Sequence, residues 1–157
     1  MAPSTSSKLP QLLVHATTVA LGPVAAILRG PSGAGKSDLA LRFLAATGPG
    51  NGRTLVADDQ TIVTLQDGLL IATAPATIAG QIEVRGVGII AMPSIASAEV
   101  RIVVDLVSSA EVERLPSTAT TTDLLGQTVS LNRLAPFEAS APLKLALMLA
   151  AATEPRT

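Results

Sequence analysis

The chain has 157 residues, of which 48% are hydrophobic, and a formal net charge of −1. This length suits one domain with its own core, and the near-neutral charge excludes the basic footprint of a nucleic-acid-binding protein. A sequence without cysteine excludes disulfides and thiolate metal centres, and a single histidine excludes a multi-histidine metal site. Aromatic residues make up only 1%, so the core must be built from Ala, Leu, Ile and Val.

The sequence predicts a single domain between two short tails. Residues 1–10 are small and polar, and we expect them to form a flexible N-terminus rather than a secretory signal. Because no apolar run approaches the length of a membrane span, we expect a soluble, cytoplasmic protein. Residues 11–152 form the predicted domain, and residues 153–157 form a C-terminal tail.

The first predicted elements lead into a glycine-rich loop. Residues 11–14 and 17–21 have the pattern of two short strands on either side of His15. The apolar run 24–28 follows a Gly-Pro turn and predicts a buried strand. The residues that come next fit the pattern G-x-x-x-x-G-K-[ST] without a mismatch, namely Gly30, Pro31, Ser32, Gly33, Ala34, Gly35, Lys36 and Ser37.

This pattern is that of a phosphate-binding P-loop. Its glycines let the backbone curl so that successive N–H groups point at phosphate oxygens. Lys36 is expected to reach the terminal phosphates, and the Ser37 hydroxyl is expected to ligate Mg²⁺. Residues 38–45 carry apolar side chains spaced for one helix face, and a Gly-Pro-Gly sequence at 48–50 is predicted to stop that helix. The alternative is a glycine-rich turn that fits by chance, but both flanks favour a P-loop.

A second signal is the pair Asp58-Asp59, which follows a predicted strand over 53–57. A P-loop enzyme needs an acidic group at the tip of a neighbouring strand to hold Mg²⁺, and a kinase needs a carboxylate near the acceptor oxygen. Two adjacent aspartates can divide these tasks, because successive side chains of a strand point to opposite faces. The alternative is that the two aspartates lie in a solvated turn. Because they follow a P-loop in the sequence, we favour their interpretation as site residues.

The rest of the chain predicts more strands than helices. An Asp-Gly pair at 67–68 indicates a tight hairpin turn, and the Ser/Thr-rich stretch 117–123 is predicted to be a surface loop. The other predicted elements are strands over 61–65, 69–72, 101–106 and 128–131, a loop or short helical turn over 75–80, and a helix over 139–152 with Pro142 in its first turn. Together they predict an α/β fold, a P-loop kinase-like mixed β-sheet with flanking helices in a single domain.

Other charged residues are weaker candidates for the site. Glu83 and Arg85 lie beside glycines 86 and 88, where the backbone can approach a ligand closely, although they would also fit a salt-bridged pair on a strand. By itself Arg114 has the pattern of a surface charge. A lone histidine such as His15 is usually an ordinary residue, but it would also suit the orientation of a neighbouring aspartate.

Four features in combination resemble the catalytic domain of HPr kinase/phosphorylase. They are His15, the P-loop, the sequence Val-Ala-Asp-Asp at 56–59 and the segment 80–90. Within that segment, Ile-Glu-Val-Arg-Gly-Val-Gly-Ile-Ile is similar to the family's own signature and is far more specific than a P-loop. The resemblance covers about residues 11–115 in the same order, and Arg114 falls where the family carries a catalytic arginine.

The resemblance implies a Mg²⁺-dependent serine kinase that uses ATP. The implied substrate is HPr, the phosphocarrier protein of the sugar phosphotransferase system, and one of Asp58 and Asp59 is the general base, with Asp58 favoured. The implied roles of the other residues are Lys36 on the transferred phosphoryl group, Ser37 and Glu83 on Mg²⁺, His15 tuning the base, and Arg114 stabilising charge in the transition state.

The sequence also departs from the family's pattern. About ten residues precede the first predicted strand, as in a short single-domain variety of the family. Residues 134–144 contain no Gly-Arg pair, whereas the family carries a glycine- and arginine-containing loop there that is linked to phosphorolysis, so the sequence does not support that reaction. The choice between ATP and pyrophosphate and the formation of a homo-oligomer stay open. The second hypothesis is a nucleotide-binding regulatory sensor with weak or no kinase activity.

Overall fold

The computed structural model describes residues 8–46, 51–116 and 119–154. These ranges contain eleven strands, two α-helices and two 3-10 turns, at Ala76–Ile78 and Ser109–Glu111. The strands are β1 (Gln11–Val14), β2 (Ala16–Leu21), β3 (Val24–Arg29), β4 (Arg53–Ala57), β5 (Thr61–Gln66), β6 (Leu69–Thr73), β7 (Gln81–Val84), β8 (Gly88–Ala91), β9 (Ala98–Leu106), β10 (Thr121–Leu124) and β11 (Gln127–Leu134). The helices are α1 (Lys36–Leu44) and α2 (Ala141–Ala152).

Nine of the described strands form one mixed sheet. Their order is β1-β5-β6-β9-β3-β2-β4, and β11 joins the last part of β9 while β10 pairs with β11. The strands β3, β9 and β11 run parallel, whereas β2 is antiparallel to both β3 and β4. The strands β7 and β8 form a separate hairpin. The predicted α/β class, with a mixed sheet and flanking helices in one domain, is confirmed.

The sheet separates two hydrophobic cores, and β3 contributes to both. Ala26 and Leu28 pack under the two helices, while Ala25 and Ile27 face the second core formed by the curled sheet. This division follows the alternation of side chains along a strand. It explains why residues 24–28 are a continuous apolar run, because the strand is buried on both faces. In the described part of the chain, no helix is long and apolar enough to cross a membrane.

Two local predictions from turn and cap chemistry are confirmed. Asp67 and Gly68 connect β5 to β6 with φ values of 51° and 78°, the positive values that a two-residue hairpin turn requires. Pro142 lies in the first turn of α2, where its missing N–H removes no helical hydrogen bond. The 3-10 turn at Ala76–Ile78 fits the short helical turn predicted within 75–80.

The prediction of a surface loop over 117–123 is wrong from residue 121 onward. Thr121–Leu124 form β10, which pairs antiparallel with β11 through a turn at Leu125 and Gly126. Threonine is β-branched and favours strands, and Leu125 and Gly126 adopt the positive φ values of a tight hairpin turn. The polarity of the stretch is therefore equally compatible with an exposed strand and with a loop.

Strand pairing also extends several predicted elements. The strand predicted over 101–106 begins at Ala98, where it pairs with β6, and the one predicted over 128–131 continues to Leu134 alongside β9. The segment 82–90, for which no single element is predicted, contains most of the β7–β8 hairpin. The predicted helix stop at 48–50, residues 1–7 of the N-terminus and residues 155–157 of the tail lie outside the described residues.

The two phenylalanines provide a matched test of the core. Phe43 is fully buried between the helices and the sheet, whereas Phe137 is 72% exposed. Substitution Phe43→Ala should lower the free energy of unfolding by about 3–5 kcal/mol, because it leaves a cavity in a core that has no other aromatic. The control Phe137→Ala should change it by about 0.5 kcal/mol or less. Urea denaturation measures both, and similar losses would contradict the assignment of Phe43 to the core.

Candidate active site

The predicted P-loop forms the turn between β3 and α1. Gly33 and Gly35 have φ values of +84° and +94°, which glycine adopts without strain. A Cβ added at Gly30 would lie 2.8 Å from the Cβ of Ala34, so no larger residue fits there. Because α1 begins at Lys36, its free N–H groups and the positive end of its dipole face the loop. The local structure therefore has the properties of an anion-binding site.

The side chain of Lys36 lies over this loop. Its Nζ donates hydrogen bonds to the carbonyl oxygens of Gly30 and Pro31, at 2.8 Å and 3.0 Å. Lys36 is 6% exposed, so its ammonium group is held inside the loop by neutral carbonyl acceptors rather than by a carboxylate. A phosphate oxygen is a stronger acceptor for a charged donor than a carbonyl is. The Lys36 ammonium group is therefore placed to give up its two hydrogen bonds to carbonyl oxygens and to bind a phosphate instead.

An ion pair fixes the strand ends beneath the loop. Arg29, the residue before Gly30, donates from Nε to Oδ1 of Asp105 at 2.8 Å and from Nη2 to Oδ2 at 3.2 Å. The two residues are register partners at the ends of β3 and β9. A bidentate pair of this kind restricts both side chains. It therefore holds the entry to the loop against the neighbouring parallel strand.

Asp58 lies directly against the loop. Its Oδ1 accepts hydrogen bonds from the Ser37 hydroxyl at 2.6 Å and from the Thr17 hydroxyl at 3.1 Å. Its Oδ2 accepts a hydrogen bond from the backbone N–H of Glu83 at 3.0 Å. Asp58 is only 6% exposed. Donors from α1, β2 and β7 thus fix one buried carboxylate, which explains how its cost of burial is offset.

Asp59 has a different partner. Its Oδ1 lies 2.7 Å from Nε2 of His15, and both side chains are mostly exposed. Its backbone has a φ of +68°, and its N–H donates to the hydroxyl of Thr17 at 3.2 Å. The adjacent carboxylates therefore do occupy different environments. His15 therefore contacts Asp59 and not Asp58, the aspartate that the sequence analysis favours as the base, and its role in tuning the base stays a prediction.

A cleft of about 510 Å³ opens over the loop and the start of α1. The loop and helix form one wall, and β7 with the residue after it forms another. The residues that line the cleft are Ser32, Gly33, Gly35, Lys36, Ser37, Asp38, Leu41, Glu83, Val84, Arg85 and Phe137. The structure therefore brings Lys36, Ser37 and Glu83 together, as the sequence predicts, and Arg85, a weaker candidate in the sequence, lines the same cleft.

The oxygen atoms at this cleft fit a magnesium ion better than a transition metal. Ser37 and Glu83 line the cleft with a hydroxyl and a carboxylate, and the Asp58 carboxylate lies directly behind the Ser37 hydroxyl. Among the described residues there is no cluster of three or more His, Cys, Asp or Glu side chains that would hold a metal by themselves. Mg²⁺ does not require one, because it is usually held by one or two carboxylates together with phosphate and water oxygens.

Arg114 is not brought to this cleft. It lies in an exposed segment after the 3-10 turn Ser109–Glu111, and it is not among the described residues that line the cleft.

Sequence reasoning missed two residues of the site, Thr17 and Phe137. A threonine inside an apolar strand gives no signal of a site. Phe137 carries a weak signal, because the chain contains only two aromatic residues.

The mixed sheet, the glycine loop and the acidic strand tip define a protein of the P-loop kinase-like class. A family model described as the HPr Serine kinase C-terminal domain matches residues 7–152. The chain therefore belongs to this family, which confirms the resemblance found in the sequence.

Relatives of known name agree with this assignment. The chain is 36% identical over 86 residues to an HPr kinase/phosphorylase of Clostridium tetani, a match that covers 55% of this chain and 27% of the relative. It is 39% identical over 82 residues to an HPr kinase/phosphorylase of Exiguobacterium sibiricum, covering 52% and 25%. The chain thus matches about a quarter of the length of these curated relatives.

A solved structure matches over a larger part of the chain. The structure of the Hpr(Ser) kinase/phosphatase from Coxiella burnetii superimposes with a TM-score of 0.73 at 25% identity. The match covers 89% of this chain and 88% of that one. The likeness therefore extends beyond the P-loop to most of the fold.

The hydroxyl of Thr17 gives a test of how the site is held together. Thr17→Val keeps the shape but removes the donor to Asp58 and the acceptor for the N–H of Asp59. The free energy of unfolding should fall by about 1–3 kcal/mol, because two polar groups lose a partner. Thr17→Ser keeps the hydroxyl and should recover most of that loss in urea denaturation. A loss in Thr17→Ser as large as that in Thr17→Val would contradict this account, because it would show that keeping the hydroxyl does not preserve the stability.

Proposed function

We propose that this protein is a cytoplasmic, Mg²⁺-dependent protein serine kinase that transfers a phosphoryl group from ATP to the phosphocarrier HPr. The observation that carries the proposal is the 2.6 Å contact between the Ser37 hydroxyl of the P-loop and the Asp58 carboxylate. It shows that the loop and the acidic strand tip face each other, which phosphoryl transfer requires. The relatives, which are HPr kinase/phosphorylases, support HPr as the acceptor.

In this proposal the loop binds the phosphates of the nucleotide. The backbone N–H groups of residues 30–37 and the N-terminus of α1 surround the phosphate oxygens. Lys36 leaves the carbonyls of Gly30 and Pro31 and donates to the transferred phosphoryl group. Arg85, which lines the same cleft, adds a second positive charge. Charge that develops on the phosphoryl oxygens is thereby stabilised by groups that are already in place.

Ser37 and Glu83 are the residues that would hold Mg²⁺. Both line the cleft, and both lie next to Asp58 through the Ser37 hydroxyl and the Glu83 backbone N–H. Bound there, the ion would supply positive charge that neutralises part of the charge on the phosphates. The direct hydrogen bond between Ser37 and Asp58 already sets the two oxygens within reach of one cation.

Asp58 is the proposed general base. Of the two aspartates it is the one whose carboxylate faces the loop, and therefore the phosphoryl group. Two of its donors are the hydroxyls of Ser37 and Thr17, which can rotate to other acceptors when a serine hydroxyl approaches. Asp58 then takes the proton from the serine oxygen as that oxygen forms its bond to the γ-phosphorus of ATP, and the bond from this phosphorus to the β–γ bridging oxygen breaks so that ADP leaves.

Asp59 and His15 form the outer part of the site in this proposal. Their 2.7 Å contact turns the second carboxylate away from the first and so limits the repulsion between them. His15 therefore acts as a positioning residue on Asp59. A transition-state role for Arg114 rests on the resemblance alone, and we do not propose the phosphorolysis reaction.

Lys36 and an unrelated lysine provide a first test. Lys36→Ala should lower the rate of phosphoryl transfer to HPr by about 100-fold or more, because the transferred group loses its preorganised charge. Lys8, exposed near the start of the described chain, supplies the control Lys8→Ala, which should leave the rate unchanged. The measurement is transfer of label from ATP to purified HPr in the presence of Mg²⁺. Full activity in Lys36→Ala would overturn the proposed site.

The two aspartates supply the second test. Asp58→Asn should lower transfer to HPr by about 100-fold or more while nucleotide binding stays within about threefold, because a neutral amide cannot take a proton. Asp59→Asn should lower it by about tenfold or less, since that carboxylate faces His15. Labelled transfer and calorimetric nucleotide titration measure the two quantities. The larger loss in Asp59→Asn would move the base to the neighbouring residue.

One observation favours a second candidate function, a nucleotide-binding regulatory sensor. Arg114 lies outside the cleft, so the described site has one arginine fewer than the resemblance implies. A sensor needs the phosphate loop but not that charge. Measurable nucleotide binding by the wild-type protein without any label on HPr would favour the sensor over the kinase.

A further inference from the structure

The exposed aromatic ring of Phe137 is not explained by the core or by phosphate binding. Of the two phenylalanines in the chain, Phe43 is fully buried and Phe137 is 72% exposed. Phe137 also lines the cleft over the P-loop. A large apolar side chain is favoured at such a position when a ligand covers it, because its exposed surface is otherwise unfavourable in water.

The ring rests directly on the P-loop. Its Cε1 and Cζ atoms each lie 3.0 Å from the position that a Cβ at Gly35 would occupy, and Cβ of Pro136 lies 3.4 Å from it. Gly35 immediately precedes Lys36 and Ser37, the residues assigned to the phosphates. One edge of the ring therefore touches the phosphate-binding backbone, and the rest of it extends into the cleft.

The segment that carries Phe137 is held by side chains on both helices. Arg42 of α1 donates to the backbone carbonyls on either side of Phe137, those of Pro136 and Glu138. The Glu138 carboxylate in turn pairs with Lys144 of α2 at 2.8 Å. Arg42 is itself paired with Asp38 in the first turn of α1. These contacts place the ring at a fixed position relative to the loop.

We propose that Phe137 is the stacking surface for the base of the bound nucleotide. The inference rests on the proposed function, in which the P-loop holds the phosphates. When phosphates occupy the loop next to Gly35, the nucleoside must leave along the cleft, whose side walls carry Phe137 and Arg85. An aromatic ring offers its face to any base, so this surface favours a nucleoside over water without selecting one base.

The stacking proposal separates two kinds of ligand, and both are available as probes. Mg²⁺–ATP has phosphates and a base, whereas inorganic tripolyphosphate has phosphates alone. Phe137→Ala should weaken ATP binding by about tenfold and change tripolyphosphate binding by less than about twofold. Phe137→Tyr keeps the ring and should bind ATP like the wild type. The control Leu147→Ala removes an exposed apolar side chain of α2 and should change neither affinity.

The sequence allows a direct optical measurement, because it contains no tryptophan. Phe137→Trp creates a single fluorophore in the cleft. Its emission should change on addition of Mg²⁺–ATP with the binding constant found by calorimetry, and it should stay unchanged with tripolyphosphate. Equal responses to both ligands would show that the fluorophore reports occupation of the loop and not contact with a base.

Each other outcome overturns a definite statement. If Phe137→Ala weakens both ligands equally, the ring supports the loop through Gly35 and does not stack on a base. If it leaves ATP binding unchanged and raises the KM for HPr, the ring contacts the acceptor protein. If the wild-type protein binds tripolyphosphate as tightly as it binds ATP, the nucleoside adds no affinity and only the stacking proposal fails. If it binds neither ligand, or if Lys36→Ala binds both as well as the wild type does, the proposed function fails.

Discussion

The contact between Ser37 and Asp58 is the interaction on which the rest of the site depends. It joins the first turn of α1 to the tip of β4, two segments that are 21 residues apart in the sequence, at a distance of 2.6 Å. Thr17 from β2 and the backbone of Glu83 from β7 meet at the same carboxylate. These donors together offset the cost of burying the carboxylate, so the elements that carry them are tied to one point.

The curled sheet places these donors by ordinary rules of side-chain alternation. Along β3, neighbouring residues face different cores, and both of its faces are covered. The Arg29–Asp105 pair then ties the end of β3 to β9 just before the glycine loop starts. The loop therefore emerges from the most enclosed part of the sheet, which limits how far the phosphate-binding backbone can shift.

Much of this arrangement is encoded locally and was predictable. The P-loop, the Asp-Gly turn at 67–68 and the acidic pair after β4 each follow from a few adjacent residues whose chemistry requires a special backbone or a charge. The features that could not be predicted depend on contacts with residues that are distant in the sequence. The strand Thr121–Leu124 exists because β11 pairs with it. His15 is 44 residues from Asp59 and 43 from Asp58, and sequence distance cannot decide which of the two it contacts. The position of Arg114 depends on the path of an exposed segment that has no periodic pattern.

The parallel pairing of β3, β9 and β11 has a consequence for the size of ligand that the cleft accepts. Leu134 ends β11 in register with Leu106 of β9, and Phe137 follows three residues later at the sheet edge where β3 opens into the glycine loop. The register of these strands thus helps to set the distance between the phosphate loop and the aromatic ring. Because a strand rises about 3.3 Å per residue, each residue added to or removed from β11 would change by that amount the length of strand that leads to the turn carrying the ring. Variation in the length of this single strand would therefore give evolution a simple way to set the spacing between the two ends of a bound molecule.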